Sequence, residues 1–360
     1  MKSERINWLD VVKFIACLGV MSSHFLYTFL TGSIYGKMAA SSMVQTLVSL
    51  FSVPLNGNFW VFVFCILSGF LLRRKKINGA YELLKNIFIR YLRFAKPFAV
   101  TAVVIFLLDI SFGFVTQEMS VVLENKWLQE FYTHDISLYD YICFVLAFDS
   151  GINGPVWMIK ALFLGNCLVY VLNYLWGRFN ALRSISDIWY TIFILLVSSL
   201  GIYLSFSFDA MAIYVIACLM GAVCPLGPKG IFISSGIAGI LLLVWVVSFT
   251  CQSVLISDTV SFFYITPHWN FFYALCFVLL INNLVTGFDS CIADLSKTLG
   301  KLSFPIYLFH WPLFCSAGLI FFDFLLNTGI LPYAFCVVLT SIAVTVMVGI
   351  IAVIYAKFVN

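Results

Sequence analysis

Charge is what this chain has least of: only 10% of its 360 residues are Asp, Glu, Lys or Arg, against 62% hydrophobic residues and a mean hydropathy of +1.04. A soluble globular domain carries about 25% charged residues, so the composition excludes one and makes the bilayer the main solvent. No stretch is long and polar enough to fold by itself outside the membrane, and no low-complexity linker or clear repeat interrupts the pattern. A single domain over residues 1–360 is the expectation. The eleven cysteines are scattered singly, mostly within apolar stretches, with no C-x-x-C and no metal-ligand spacing. They read as small hydrophobes rather than a disulfide framework, and no metal site is expected. The absence of a Walker or G-x-G-x-x-G loop speaks against a nucleotide-driven pump, and no feature calls for a nucleic-acid partner.

What the chain does have is a recurrence of apolar stretches of about 17 to 25 residues, the length needed to cross hydrocarbon as a helix. They centre near positions 18, 63, 103, 166, 197, 218, 241, 276, 313 and 344. The expected fold class is therefore all-α, a polytopic membrane helix bundle of about ten transmembrane helices. With ten spans, one face collects Lys2, Arg5, Arg73, Arg74, Lys75, Lys76, Lys85, Arg90, Arg93, Lys96, Arg178, Arg183, Lys229, Lys297, Lys301 and Lys357, and the other keeps Lys37 and Lys126. The positive-inside rule then places both termini in the cytoplasm of a multi-pass protein of the inner or plasma membrane. Met38-Ala39-Ala40 offers small residues of the kind found at a signal-peptide cleavage site. The apolar stretch before it is too long for a signal peptide and carries internal charges, so it reads as a retained span.

The acidic residues favour the opposite face, most of them in the long connection between the third and fourth spans. Within that connection Ser137 to Phe148 is an apolar run interrupted by Asp140, too short to span and better read as a helix lying at the outer surface. It either roofs an external cavity or is an ordinary interfacial helix.

The first span, Ile6 to Leu30, contains Asp10, Lys13 and His24. An ionisable side chain in hydrocarbon costs a few kcal/mol unless it faces a wet, protein-lined cavity. Lys13 and His24 are eleven residues apart, which at about 100° per residue returns nearly to the same face, roughly 16 Å along the axis. His24 falls about 9 Å below the outer surface, and Lys160 in span four reaches a similar depth. Lys160 either shares a cavity with His24 or extends to the outer headgroups; His24 either does chemistry or bonds a neighbouring helix.

On the cytoplasmic side Arg90, Arg93 and Lys96 follow an i, i+3, i+6 spacing beside Pro97 and form one cationic stripe. That stripe serves either topology and anionic-lipid contact or the docking of a polyphosphate by planar guanidinium forks. Arg73 to Lys76 is read as topology and lipid contact. Ser68 and Gly69 let helices approach closely. In the ninth span, opening at Ser303, Tyr307 and His310 share a face one turn apart, and Pro305 and Pro312 free backbone carbonyls. His310, near the inner third, either meets a substrate or bonds a neighbouring helix.

Together these pieces resemble the integral-membrane acyltransferase-3 family, polytopic enzymes that O-acylate surface sugars, almost from end to end. Leu9-Asp10 with Lys13 and His24 is similar to that family's opening signature. Phe64 to Phe70 is similar to its F-x-x-x-S-G-F segment, and Arg90-Tyr91-Leu92-Arg93 to its R-x-x-R stretch. Pro155-Val156-Trp157 and Tyr307-Leu308-Phe309-His310 are similar to its P-x-W and Y-L-x-H pieces. Lys13 stands where many members carry arginine, and no glutamate follows Trp157. The chain resembles the stand-alone form, without an appended hydrolase-like domain.

The resemblance implies transfer of an acyl group, acetyl in the first instance, from cytoplasmic acyl-CoA to a hydroxyl of a cell-surface polysaccharide or its lipid-linked precursor. Lys13, Arg90, Arg93 and Ser68 then contact acyl-CoA. His24 is the catalytic base with Lys160 offsetting oxyanion charge, and Asp10, Trp157, Tyr307 and His310 contact substrate. The expected partners are the lipid bilayer, acyl-CoA (acetyl-CoA) and a glycan acceptor. The rival reading is a transporter or flippase for glycolipid precursors in which Asp10, Lys13, His24 and His310 form an intramembrane relay, although no paired-halves symmetry supports it.

Overall fold

The computed structural model describes residues 6–30, 56–73, 75–183, 196, 210–224, 267–285 and 292–358. All regular structure among them is helical: α1 (Asn7–Leu30), α2 (Gly57–Arg73), α3 (Ala80–Phe112), α4 (Thr116–Val122), α5 (Leu138–Ala147), α6 (Trp157–Arg183), α7 (Ala210–Val223), α8 (Pro267–Val285), α9 (Ala293–Leu313), α10 (Leu319–Asn327) and α11 (Tyr333–Phe358). Five stretches among the described residues are long and apolar enough to cross a membrane: Asn7–Phe29, Ala80–Phe112, Gly154–Arg178, Ala293–Asn327 and Tyr333–Phe358. They coincide with the expected spans near positions 18, 103, 166, 313 and 344. Those expected near 63, 218 and 276 are the apolar helices α2, α7 and α8, and those near 197 and 241 lie outside the described residues.

The helix α11 shows why these elements belong in lipid. One stripe, Cys336, Thr340, Val344, Val348, Ala352 and Tyr355, is buried, while Val338, Ile342, Val346 and Ile350 are exposed on the other side. A helix apolar on both its packed and its open face is stable only where the open face meets hydrocarbon.

The described chain forms two compact units. The first comprises Met1–Ala16, Asn58–Arg93 and Met158–Ser296. In it α2 and α7 meet backbone to backbone, as Ser68-Gly69 led one to expect. A Cβ added to Gly69 would overlap the Cys218 carbonyl oxygen and lie 2.7 Å from its carbon, and one added to Gly221 would overlap the Ile66 carbonyl oxygen. Because those obstacles are main chain, no rotamer change relieves them. Gly69→Ala is therefore expected to force the helices apart at a cost of about 1–3 kcal/mol and to lower the thermal midpoint of the detergent-solubilised protein. Gly79→Ala, with nothing within 4 Å of the added methyl, is the matched control; equal midpoints for the two variants would show that the backbones do not touch.

The second unit comprises Cys17–Gly57, Phe94–Trp157 and Lys297–Asn360. Its core is aromatic: Phe25 stacks on Phe314 and Phe98 on Phe144, each at 4.7 Å, and Phe29 meets Phe322 at a tilt, also at 4.7 Å. The surface helix read from Ser137 to Phe148 is α5, and its interrupting acid is the cap. Ser137 Oγ accepts from the Asp140 backbone N–H while Asp140 Oδ2 accepts from that of Ser137 at 2.8 Å, a reciprocal capping box. Hydrogen bonds from the Ser137 hydroxyl and backbone hold the Asp140 carboxyl below the usual range. Phe148, in a left-handed conformation at φ 53°, ends the helix.

Candidate functional site

The second unit holds a pair of imidazoles. His24 on α1 is half-buried and His310 on α9 is wholly buried. His24 Nδ1 lies 2.8 Å from His310 Nε2, with the rings only 8° from parallel and their centroids 5.1 Å apart. The other nitrogen of His310, Nδ1, is 2.7 Å from the Tyr307 carbonyl oxygen. A carbonyl only accepts, so His310 Nδ1 carries its proton, and a neutral imidazole then offers a lone pair at Nε2. That lone pair accepts from His24 Nδ1–H. His24 is left with Nε2 as its own lone pair, directed away from its partner across the ring.

The neighbouring chain holds α9 in place. Pro312 has no N–H, so the Leu308 carbonyl lacks its helical donor. Asn153 Nδ2 supplies one at 2.9 Å. The Tyr307 hydroxyl donates to the Pro155 carbonyl. Both bonds tie α9 to the turn Gly154–Val156 that opens α6 at Trp157. Tyr307 and His310 do share a face, and the Tyr307 carbonyl meets His310 Nδ1 while His310 Nε2 meets His24. The helix that carries the ninth span begins at Ala293, ahead of Ser303, and His310 lies near the middle of the apolar stretch Ala293–Asn327.

Around His24 is an aromatic wall that sequence reasoning missed. Trp127 stacks at 6.0 Å and 29°, and Trp311 meets it edge-on at 5.3 Å. Trp127 also touches Tyr27, Phe131 and Trp311 at 5.9, 5.0 and 5.2 Å. Its position is set by Asn125, whose side-chain amide donates at 2.9 Å to both the Tyr27 and Thr28 carbonyls at the end of α1 and whose oxygen accepts from the Leu128 backbone. An aromatic residue in the polar run Glu124 to Glu130 was the one available signal. In the same connection Tyr132 donates to the Ile152 carbonyl at 2.9 Å, and burial pushes its hydroxyl well above the usual tyrosine range.

The remaining candidates belong to the first unit. Lys13 and Asp10 form an ion pair at 3.3 Å one turn apart on α1. Arg90 Nη2 donates to Ser68 Oγ at 3.1 Å, and that hydroxyl donates onward to Asn166 Oδ1 at 2.8 Å. Asn166 is wholly buried, and its Nδ2 has no hydrogen-bond partner among the described residues. Arg93, one turn on from Arg90, is exposed. Lys75, grouped by sequence with the topology block, also lies beside this stripe: its ammonium sits 5.4 Å over the Tyr170 ring. Burial, with Arg93 and Arg90 as like charges, holds its pKa below the usual lysine value against the opposing pull of Glu82. Lys160 lies in the first turn of α6 and is exposed. Among the described residues no group of three or more His, Cys, Asp or Glu side chains is placed to hold a metal ion.

A family profile for an acyltransferase domain matches residues 6–351 of the 360. The chain belongs to the acyltransferase-3 family. No curated protein and no solved structure matches it. As a member of this family it is a membrane acyltransferase, and the match spans every candidate residue from Asp10 to His310.

Proposed function

We propose that this acyltransferase moves an acetyl group from cytoplasmic acetyl-CoA to a hydroxyl of a cell-surface polysaccharide or its lipid-linked precursor. The observation that carries the reading is the His24–His310 pair, which leaves a single oriented lone pair on a half-buried imidazole. His24 Nε2 takes the proton of the acceptor hydroxyl as its oxygen attacks the thioester carbonyl carbon. The C–S bond then breaks, and the proton passes from His24 to the departing thiolate, giving the O-acetyl ester and free CoA. General base catalysis of this kind contributes about 10² to 10⁴-fold, and Lys160 offsets the oxyanion charge. Transfer is direct: the Ser68 hydroxyl is engaged by Arg90 and Asn166, which does not suit a nucleophile.

The protein lies in the inner or plasma membrane as one acyltransferase domain with about ten spans and both termini in the cytoplasm. The five described spans and the one-sided distribution of Lys and Arg support that topology. Arg90, Arg93, Lys13 and Ser68 take the phosphates of CoA, with Asp10 orienting Lys13. Arg93 is open to a ligand, and the crowding of Lys75, Arg90 and Arg93 suits a site that an anion completes. Replacing Arg90 and Arg93 together by alanine should raise the Kd for acetyl-CoA at least about tenfold, equivalent to ~1.4 kcal/mol, with the thermal midpoint as the folding control. Unchanged affinity would return both residues to a topological role. The reading itself is tested by giving purified protein radiolabelled acetyl-CoA and candidate glycans: label should move to the glycan, and glycan movement across vesicles without label transfer would favour a carrier instead.

A further inference from the structure

Deepening that reading, and resting on it, the geometry points to Trp127 as the platform for the sugar ring of the acceptor, and to a neutral or amino sugar rather than an acidic one. Of the groups around His24, His310 and Trp311 are wholly buried. Trp127 is half-buried, as His24 is, and keeps part of its surface open. A hydroxyl approaching the imidazole therefore arrives alongside the indole. The face of an aromatic ring is the negative side of its quadrupole, and one face of a pyranose presents weakly positive C–H groups with its hydroxyls directed outward. A sugar laid on the part of the indole that the His24 ring, 6.0 Å away centre to centre, does not cover has its hydroxyls at the ring edge beside His24.

The platform is held rigidly, which such a role requires. The double bond from Asn125 to the Tyr27 and Thr28 carbonyls fixes this segment to the same helix that carries His24. The segment that carries Trp127, residues 113–157, holds Glu118, Glu124, Glu130, Asp135, Asp140 and Asp149 against Lys126. Glu124 and Glu130, which flank Trp127 in the sequence, are exposed. Carboxylates accept hydrogen bonds from sugar hydroxyls or an amine but repel a uronate or a phosphorylated sugar.

The test is steady-state transfer from radiolabelled acetyl-CoA by the full-length protein in detergent or nanodiscs. The acceptors are the methyl glycosides of glucose, galactose and N-acetylglucosamine, with methyl glucuronide as the acidic comparison. Trp127→Leu, which keeps apolar bulk but removes the ring face, should raise the KM for the preferred glycoside about tenfold or more while moving the KM for acetyl-CoA less than about twofold. Trp127→Phe should recover most of the loss, and Glu124→Gln with Glu130→Gln should narrow the gap between glucoside and glucuronide. Unchanged glycoside KM in Trp127→Leu overturns the platform, and equal use of glucuronide by the wild type overturns the charge preference. His24-dependent turnover of acetyl-CoA with no glycoside accepted removes the sugar platform and leaves acyl transfer standing. No turnover at all removes the reaction and the inference with it.

Discussion

His24→Ala is expected to abolish acetyl transfer, lowering kcat by about 10² to 10⁴-fold, with the Kd for acetyl-CoA and the thermal midpoint close to wild type. The separation follows from where the residue sits. Its imidazole bonds His310 and is half-open, so truncation removes a reactive nitrogen without emptying the aromatic core formed by Phe25, Phe29, Phe314 and Phe322. Acetyl-CoA binding is assigned to residues of the other unit, among them Arg90 and Arg93. Loss of transfer with retained donor binding, read by radiolabel transfer and by isothermal titration, is the expected outcome. Substantial transfer by the alanine variant would take His24 out of the mechanism.

The second large effect is expected at His310. It touches no substrate in this account and acts through His24, so its replacement should lower kcat and spare the KM for acetyl-CoA. His310→Ala leaves the His24 Nδ1–H without its acceptor and frees the ring to rotate or to adopt the other tautomer. An unpaired buried donor alone costs about 1–3 kcal/mol, and the kinetic loss is expected to be about 10²-fold, part of the general-base contribution. His310→Gln places a carbonyl oxygen within reach of the same N–H and should recover kcat to within about tenfold of wild type. A merely structural role would not produce that rescue, because both variants remove the ring. Wild-type kcat in His310→Ala would show that the pair is incidental.

Much of this arrangement could be read along the chain. Pro312 forecasts a freed carbonyl at Leu308, and Ser68-Gly69 forecasts a close helix contact; both are found. Helical periodicity puts Tyr307 and His310 on one face, and the capping box of α5 lies within four residues of sequence. What periodicity does not carry is which face meets which. His24 and His310 are 286 residues apart, and Asn153 reaches Leu308 across 155. Both pairings depend on tertiary packing, so the two histidines read as independent candidates. The same limit hid Lys75, whose place in a run of four cations suggested topology and whose neighbours in space are Tyr170, Arg90 and Arg93. Trp127 was missed because a single aromatic residue in a polar connection has no period to mark it.

The most direct test of the account is the tautomeric state of the two histidines, measured by nitrogen NMR on protein carrying ring-labelled histidine, with assignment by single substitution among its four histidines. Both His24 and His310 should be neutral with the proton on Nδ1 and a lone pair on Nε2. A proton on His24 Nε2 would close the site at which the acceptor hydroxyl is to be deprotonated and would contradict the account.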